Sequence, residues 1–222
     1  MEYKLERSKR KTLTISIADG AVTVKAPRAM PMEHIENFIA KKSSWIERKL
    51  KEYGKKTDNI APLAAGTHVL YHGEFYVIKK TDKYARIAKP CGNELLVPLT
   101  CETRESVDRA VGAFLKRAAK TELAALLEKA SAATGLSYTS FSTTNARTQW
   151  GSCDGKNNIR LNWRLVMLDG ELVKYVIVHE LSHTRHHDHS AEFWAEVEKN
   201  MPNYKAAKKR LKSYSVLTGM YR

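Results

Sequence analysis

The stretch His179-Glu180-Leu181-Ser182-His183-Thr184-Arg185-His186-His187-Asp188-His189 holds five of the chain's eight histidines. Its first five residues form the pattern HExxH. On a helix, positions i and i+4 lie one turn apart on one face, so His179 and His183 can reach one ion. Glu180 stands about one residue round the helix, where it touches a metal-bound water without ligating the ion. Neutral imidazoles suit zinc, and three protein ligands leave one position open for water. The ion lowers the pKa of that water to about 7, so a neighbouring carboxylate takes its proton at neutral pH. Val176-Ile177-Val178 ahead of the motif and Leu181 inside it suit a buried helix, whereas Arg185 is unexpected there.

A third ligand has to be argued from the residues that follow. His186 and His187 continue the same helical face, but successive turns are about 5.4 Å apart, and three ligands on one straight helix rarely surround an ion. His189 is ten residues after His179, the spacing of the last histidine in HExxHxxGxxH, with His186 standing where that pattern has glycine. Asp188-His189-Ser190 reads as a break followed by a helix cap, which swings His189 toward the ion. His189 is the expected ligand, and Glu192, Glu196 and Glu198 are its rivals. Zinc is the expected cofactor, although an all-imidazole site also accepts other divalent first-row ions.

Outward from the motif, periodicity predicts a helix over Glu171–His186 capped by Asp169 or Gly170, another from Ser190, and a basic helix from Tyr204 beyond Pro202. Upstream, a long amphipathic helix is expected from near Glu102 to near Gly135, with strands over Ser137–Thr144 and Asn158–Leu168. Between those strands lies Arg147-Thr-Gln-Trp150-Gly151-Ser152-Cys153, read as a turn whose backbone donors approach a substrate. Trp150, Gly151, Ser152, Arg164 and Tyr204 are candidate substrate-binding residues, Tyr204 as an oxyanion donor. The strand around Ile159–Leu165 is the candidate for pairing with an extended peptide. Cys153 reads as a small buried thiol in preference to an inhibitory metal ligand.

The first hundred residues have a different texture. Leu13, Ile15 and Ile17, then Val22, Val24 and Ala26, alternate on either side of Asp19-Gly20, a hairpin pattern within Tyr3–Pro27. A helix is expected over Pro31–Tyr53, a linker over Lys55–Gly66, and strands over Thr67–Lys79 and Glu94–Pro98. The division expected is a basic, strand-rich module over 1–100 and a metal-dependent hydrolase domain over 101–222.

Charge is concentrated at the ends. Residues 1–56 carry 14 Lys/Arg against 7 Asp/Glu, and residues 199–222 carry 7 Lys/Arg and no acid, so these segments hold the whole net charge of +14. Such segments suit nucleic acid or another anionic partner, or serve as a solvated face. The 222 residues are enough to bury a core without disulfides, and three cysteines with no CxxC pair exclude a disulfide-rich scaffold and fit a reducing compartment. The first residues lack the apolar stretch of a signal peptide, and no window approaches 18 uninterrupted apolar residues. A cytoplasmic protein without membrane contact is expected.

Taken in order, Trp150-Gly-Ser-Cys153, Ile159-Arg-Leu-Asn-Trp-Arg-Leu165, Tyr175-Val-Ile-Val-His-Glu-Leu-Ser-His183, His189-Ser190, Phe193-Trp194 and Pro202-Asn-Tyr204 resemble the YgjP-like metallopeptidase domain family. That family is similar to the WLM and SprT-like metallopeptidases. The resemblance extends to Arg7–Arg10, Val24-Lys-Ala-Pro27 and Lys42–Ile46, and so covers most of the chain. It implies an α+β, minimal zincin-like fold with a basic N-terminal module, and the histidine before Ser190 as third ligand, which matches His189. Asp188 stands where the family usually has Asn, and Asn203 where it usually has Asp; neither departure removes a ligand. The expected function is a zinc-dependent hydrolase, foremost a peptidase that uses metal-bound water activated by Glu180. The alternatives are a nucleotide phosphoanhydride hydrolase, with Arg147, Arg160 and Arg164 holding phosphates, and a DNA-associated protease or binding protein of the SprT-like kind. The last would use the basic ends with Trp45, Tyr53, Tyr204 and Tyr214.

Overall fold

The computed structural model describes residues 2–18, 21–58, 66–82 and 87–221. They form an α+β architecture with six helices and three small sheets, in two compact units, Met1–Ala61 and Pro62–Arg222. No helix among the described residues is long and apolar enough to cross a membrane.

In the first unit β1 (Lys4–Ser8), β2 (Thr14–Ala18) and β3 (Ala21–Pro27) pair in the order β1-β3-β2, with β2 and β3 antiparallel as the hairpin pattern predicts. The Asp19-Gly20 turn lies outside the described residues. Val22, Val24 and Ala26 alternate into a core shared with Ile35, Ile39 and Ile46. The helix expected over 31–53 is two, α1 (Met32–Lys41) and α2 (Ser43–Asp58), broken at Lys42, whose φ of −105° and ψ of 4° leave the helical range. The second helix occupies the first part of the expected linker, and residues 59–65 lie outside the described set.

The second unit begins with β4 (His68–Tyr71), β5 (Glu74–Thr81), β6 (Lys89–Cys91) and β7 (Glu94–Pro98), ordered β4-β5-β7-β6. His72 and Gly73, both at positive φ (52° and 82°), make the two-residue hairpin turn between β4 and β5. Their amides donate to the carbonyls of Val166 and Met167, and Glu122 receives the Tyr71 hydroxyl and His72 Nε2. This sheet is therefore tied to the body that carries the histidines, within the compact unit Pro62–Arg222. Sequence texture changes near residue 100, but hydrogen bonds across 50, 51 and 94 residues decide the grouping.

Helix α3 (Arg104–Thr134) runs about 46 Å. It starts at a capping box between Thr103 and Ser106 and stops at Gly135 in the left-handed conformation. Beyond it β8 (Ser140–Thr144), β9 (Gly151–Cys153) and β10 (Asn158–Asn162) form a sheet ordered β8-β10-β9, parallel on one side of β10 and antiparallel on the other. β9 is a strand where a turn was expected. The expected strand to Leu168 ends at Asn162, whose side chain accepts the Arg164 amide and starts a buried 3-10 turn over Trp163–Met167. Asp169 then caps α4 (Gly170–Ser182), Ser190 caps α5 (Ala191–Asn200), and α6 (Tyr204–Leu211) follows Pro202. β9 and β10 pack on α4.

Candidate metal centre

Helix α4 is buried on most sides: Val173, Tyr175, Val176, Ile177, Val178, Leu181 and Ser182 all lie inside. His179 and His183 project from one face with ring centroids 4.9 Å apart. The helix ends at Ser182, four residues before the expected end. The Thr184 and Arg185 amides turn back to the carbonyls of Leu181 and Ser182 in a tightening turn. His183 Nδ1 bonds the carbonyl of His186 at 3.0 Å, and Asp188 Oδ1 accepts the Ser190 amide. The chain thus reverses with no residue of this segment at positive φ, which is why His186 can stand in the place of a glycine.

That reversal carries His189 back to the helix. Its ring centroid is 5.2 Å from His179 and 4.7 Å from His183, and its Nε2 is 3.2 Å from His179 Nε2. One nitrogen from each of the three histidines lies within 4.8 Å of the others, the only such group of metal-binding side chains among the described residues. Two nitrogens held tetrahedrally by zinc stand about 3.3 Å apart, the spacing of the His179–His189 pair. Their charge state fits as well. Burial, reinforced by His183, His189 and Lys208, pushes His179 down to about 3, and burial holds His183 low against the hydrogen bond to His186, so these imidazoles keep lone pairs. Because His183 Nδ1 donates to a carbonyl, the lone pair of this neutral ring lies on its Nε2.

Aromatic rings enclose the cluster. Phe193 is fully buried and stands 4.3 to 4.9 Å from all three imidazoles. Trp194 stacks on His189 at 5.7 Å and on Tyr204 at 5.3 Å, and Lys208 Nζ sits 3.8 Å from the centroid of the Trp194 ring. Tyr204 is 6% exposed and packs against the Trp194 ring, one ring removed from His189.

Glu180 points round the helix toward the end strand β9. It is 5% exposed, and burial pushes its carboxyl up to about 8. Gly151 is the residue it meets. In β9 the bonds of Trp150 and Asp154 go to β10, so by antiparallel alternation the N–H and C=O groups of Gly151 and Cys153 face the open edge. Gly151 and Ser152 are thus beside Glu180, and the half-buried Trp150 leads into the strand. The edge expected at Ile159–Leu165 is not available, because β10 is paired on both sides.

Two expectations about charged groups are corrected. Arg164 is 1% exposed; it donates to the carbonyl of Met220 and, at 2.7 Å, to Asn145 Oδ1, clamping the C-terminal residues instead of meeting substrate. With Arg160 facing Asp154 at 3.4 Å, two of the three arginines of the phosphate reading are engaged elsewhere. Glu196, a rival ligand, points away from the cluster: it accepts from Arg185 at 2.7 Å and from Asn200 at 2.9 Å. This pair explains the unexpected Arg185 and ties α5 to the turn after His183. Sequence reasoning missed it, because only a charge at 185 beside an acid eleven residues on hinted at it.

The donor set and its setting define a metal-binding α+β protein. A family model described as the YgjP-like metallopeptidase domain matches residues 11–214, and the chain belongs to that family. Among solved structures, the metallopeptidase zymogen abylysin of Pyrococcus abyssi matches at 27% identity and a TM-score of 0.38, over 40% of this chain and 90% of that one. No curated protein matches.

Proposed function

We propose that the protein is a zinc-dependent peptidase of minimal zincin-like design, with His179, His183 and His189 as metal ligands and Glu180 as general base. The observation that carries this reading is the convergence of three imidazoles beside a buried carboxyl group that lies against an open strand edge. A zinc ion held by three imidazoles supplies a Lewis acid that polarises a carbonyl and acidifies water. Glu180 accepts the proton of the attacking water and returns it to the leaving amine. The backbone groups of Gly151 and Cys153 pair with an extended peptide, fixing its register by strand addition. Phe193 and Trp194 exclude bulk water from one side of the ligands.

Elemental analysis of wild type and His189→Ala, followed by digestion of a mixed-sequence peptide library read by mass spectrometry, tests this. One zinc per wild-type chain, lost or weakened in the variant, with cleavage that wild type performs, is the expected result. Well-folded wild type that takes up no supplied zinc would sink the reading.

A further inference from the structure

The approach of Glu180 to β9 is closer than any residue with a side chain would allow. A Cβ built on Gly151 would stand 2.6 Å from Cγ, 2.7 Å from Oε1 and 2.9 Å from Cδ of Glu180. All three separations are below van der Waals contact, and close-packed interiors do not absorb such overlap without displacement. Backbone conformation is not the reason for glycine here, since Gly151 is not among the glycines at positive φ. An alanine would be accepted by the backbone, and the three atoms nearest its Cβ would all belong to Glu180. Glu180 has little room to retreat, being 5% exposed on a helix whose next two residues are fully buried.

We propose that Gly151 is a positioning residue for Glu180: its missing side chain lets the carboxylate lie directly against the backbone of the end strand. A peptide paired with that strand is thereby presented to the carboxylate at the distance of one strand spacing. The catalytic part of this proposal rests on Glu180 acting as the base; the steric part does not.

A double-mutant cycle separates the two. Gly151→Ala and Glu180→Ala are made singly and together, and Tm, zinc content and peptide cleavage are measured on the full chain. Gly151→Ala is expected to lower Tm by roughly 4–8 °C in the wild-type background. In the Glu180→Ala background, which lacks all three clashing atoms, the same change is expected to cost less than about 1 °C. Zinc stays at one per chain throughout, because no ligand is touched. Cleavage by Gly151→Ala falls by roughly 100-fold in kcat with little change in KM.

An equal loss of Tm in both backgrounds overturns the proposal, as does unchanged kcat in Gly151→Ala. If Gly151→Ala alone does not fold, the double variant must fold and bind zinc, and its failure also overturns the proposal. Zinc-loaded wild type that cleaves no peptide sinks the peptidase reading, and with it the catalytic role of Gly151, while the cycle still decides the steric one.

Discussion

The two sides of the metal centre are built by different means. His179, Glu180 and His183 stand on α4, a helix whose own hydrogen bonds and buried face hold them in register. His189 stands on the exposed turn between α4 and α5, where no helix fixes it. Its position depends on the cap at Ser190, the stack with Trp194 and the Arg185–Glu196 pair that draws α5 to the turn. A ligand on a helix inherits its geometry from spacing; a ligand on a turn has to be held by contacts made elsewhere.

The difference can be broken most severely on the helix side. On the proposed mechanism Glu180→Gln keeps the zinc and loses the proton acceptor, so peptide cleavage is expected to fall by about 100- to 10,000-fold. Full activity in this variant would remove Glu180 from the chemistry. The turn side is softer. Glu196→Ala frees Arg185 without touching a ligand, and zinc affinity in a chelator competition is expected to fall roughly 10-fold. Unchanged affinity would mean that Trp194 and the Ser190 cap suffice.

Glu196 also gives the turn side a pH dependence. Burial raises its carboxyl, but hydrogen bonds from Asn200 and Arg185 and the charge of Arg185 outweigh this and hold it below the ordinary carboxylate value. A carboxylate lowered in this way stabilises the folded state above its unfolded pKa, and the contribution is lost as pH falls through the lowered value. Glu196→Gln should therefore be less stable than wild type at pH 7, by about 1 kcal/mol since Arg185 is half-exposed. The gap should close as pH drops below about 4.5 in thermal melts. A gap independent of pH would assign the loss to packing.

A further expected effect lies beside the helix. Burial, then the charges of Glu180 and Asp154, push the Cys153 thiol up to about 11. Iodoacetamide at pH 8 should therefore modify the exposed Cys91 at least about 10-fold faster than Cys153. Equal rates would mean that Cys153 is not shielded by burial.

Legibility in the sequence followed the range of the interactions. The helices α3, α4, α5 and α6, the β2–β3 hairpin and the caps at Asp169 and Ser190 were readable because periodicity and capping act within a few residues. His179 and His183 were readable for the same reason. His189 was reached by spacing, and the structure brings it to the pair. The short β9 was not readable, since three residues carry no period and pairing with β10 makes them a strand. Arg164 reads as surface chemistry in the sequence and is buried, because the 3-10 turn and Met220 enclose it.

The chain's local patterns determined where helices start and stop, which residues form the HExxH face and where charge accumulates. Contacts between distant residues decided the rest: Gly151 against Glu180, Arg185 against Glu196, Arg164 against Met220, and the sheet of residues 68–98 against the 3-10 turn. Local backbone preferences are encoded over one or two turns of chain, whereas these approaches exist only once close packing and hydrogen bonding have brought separate segments together.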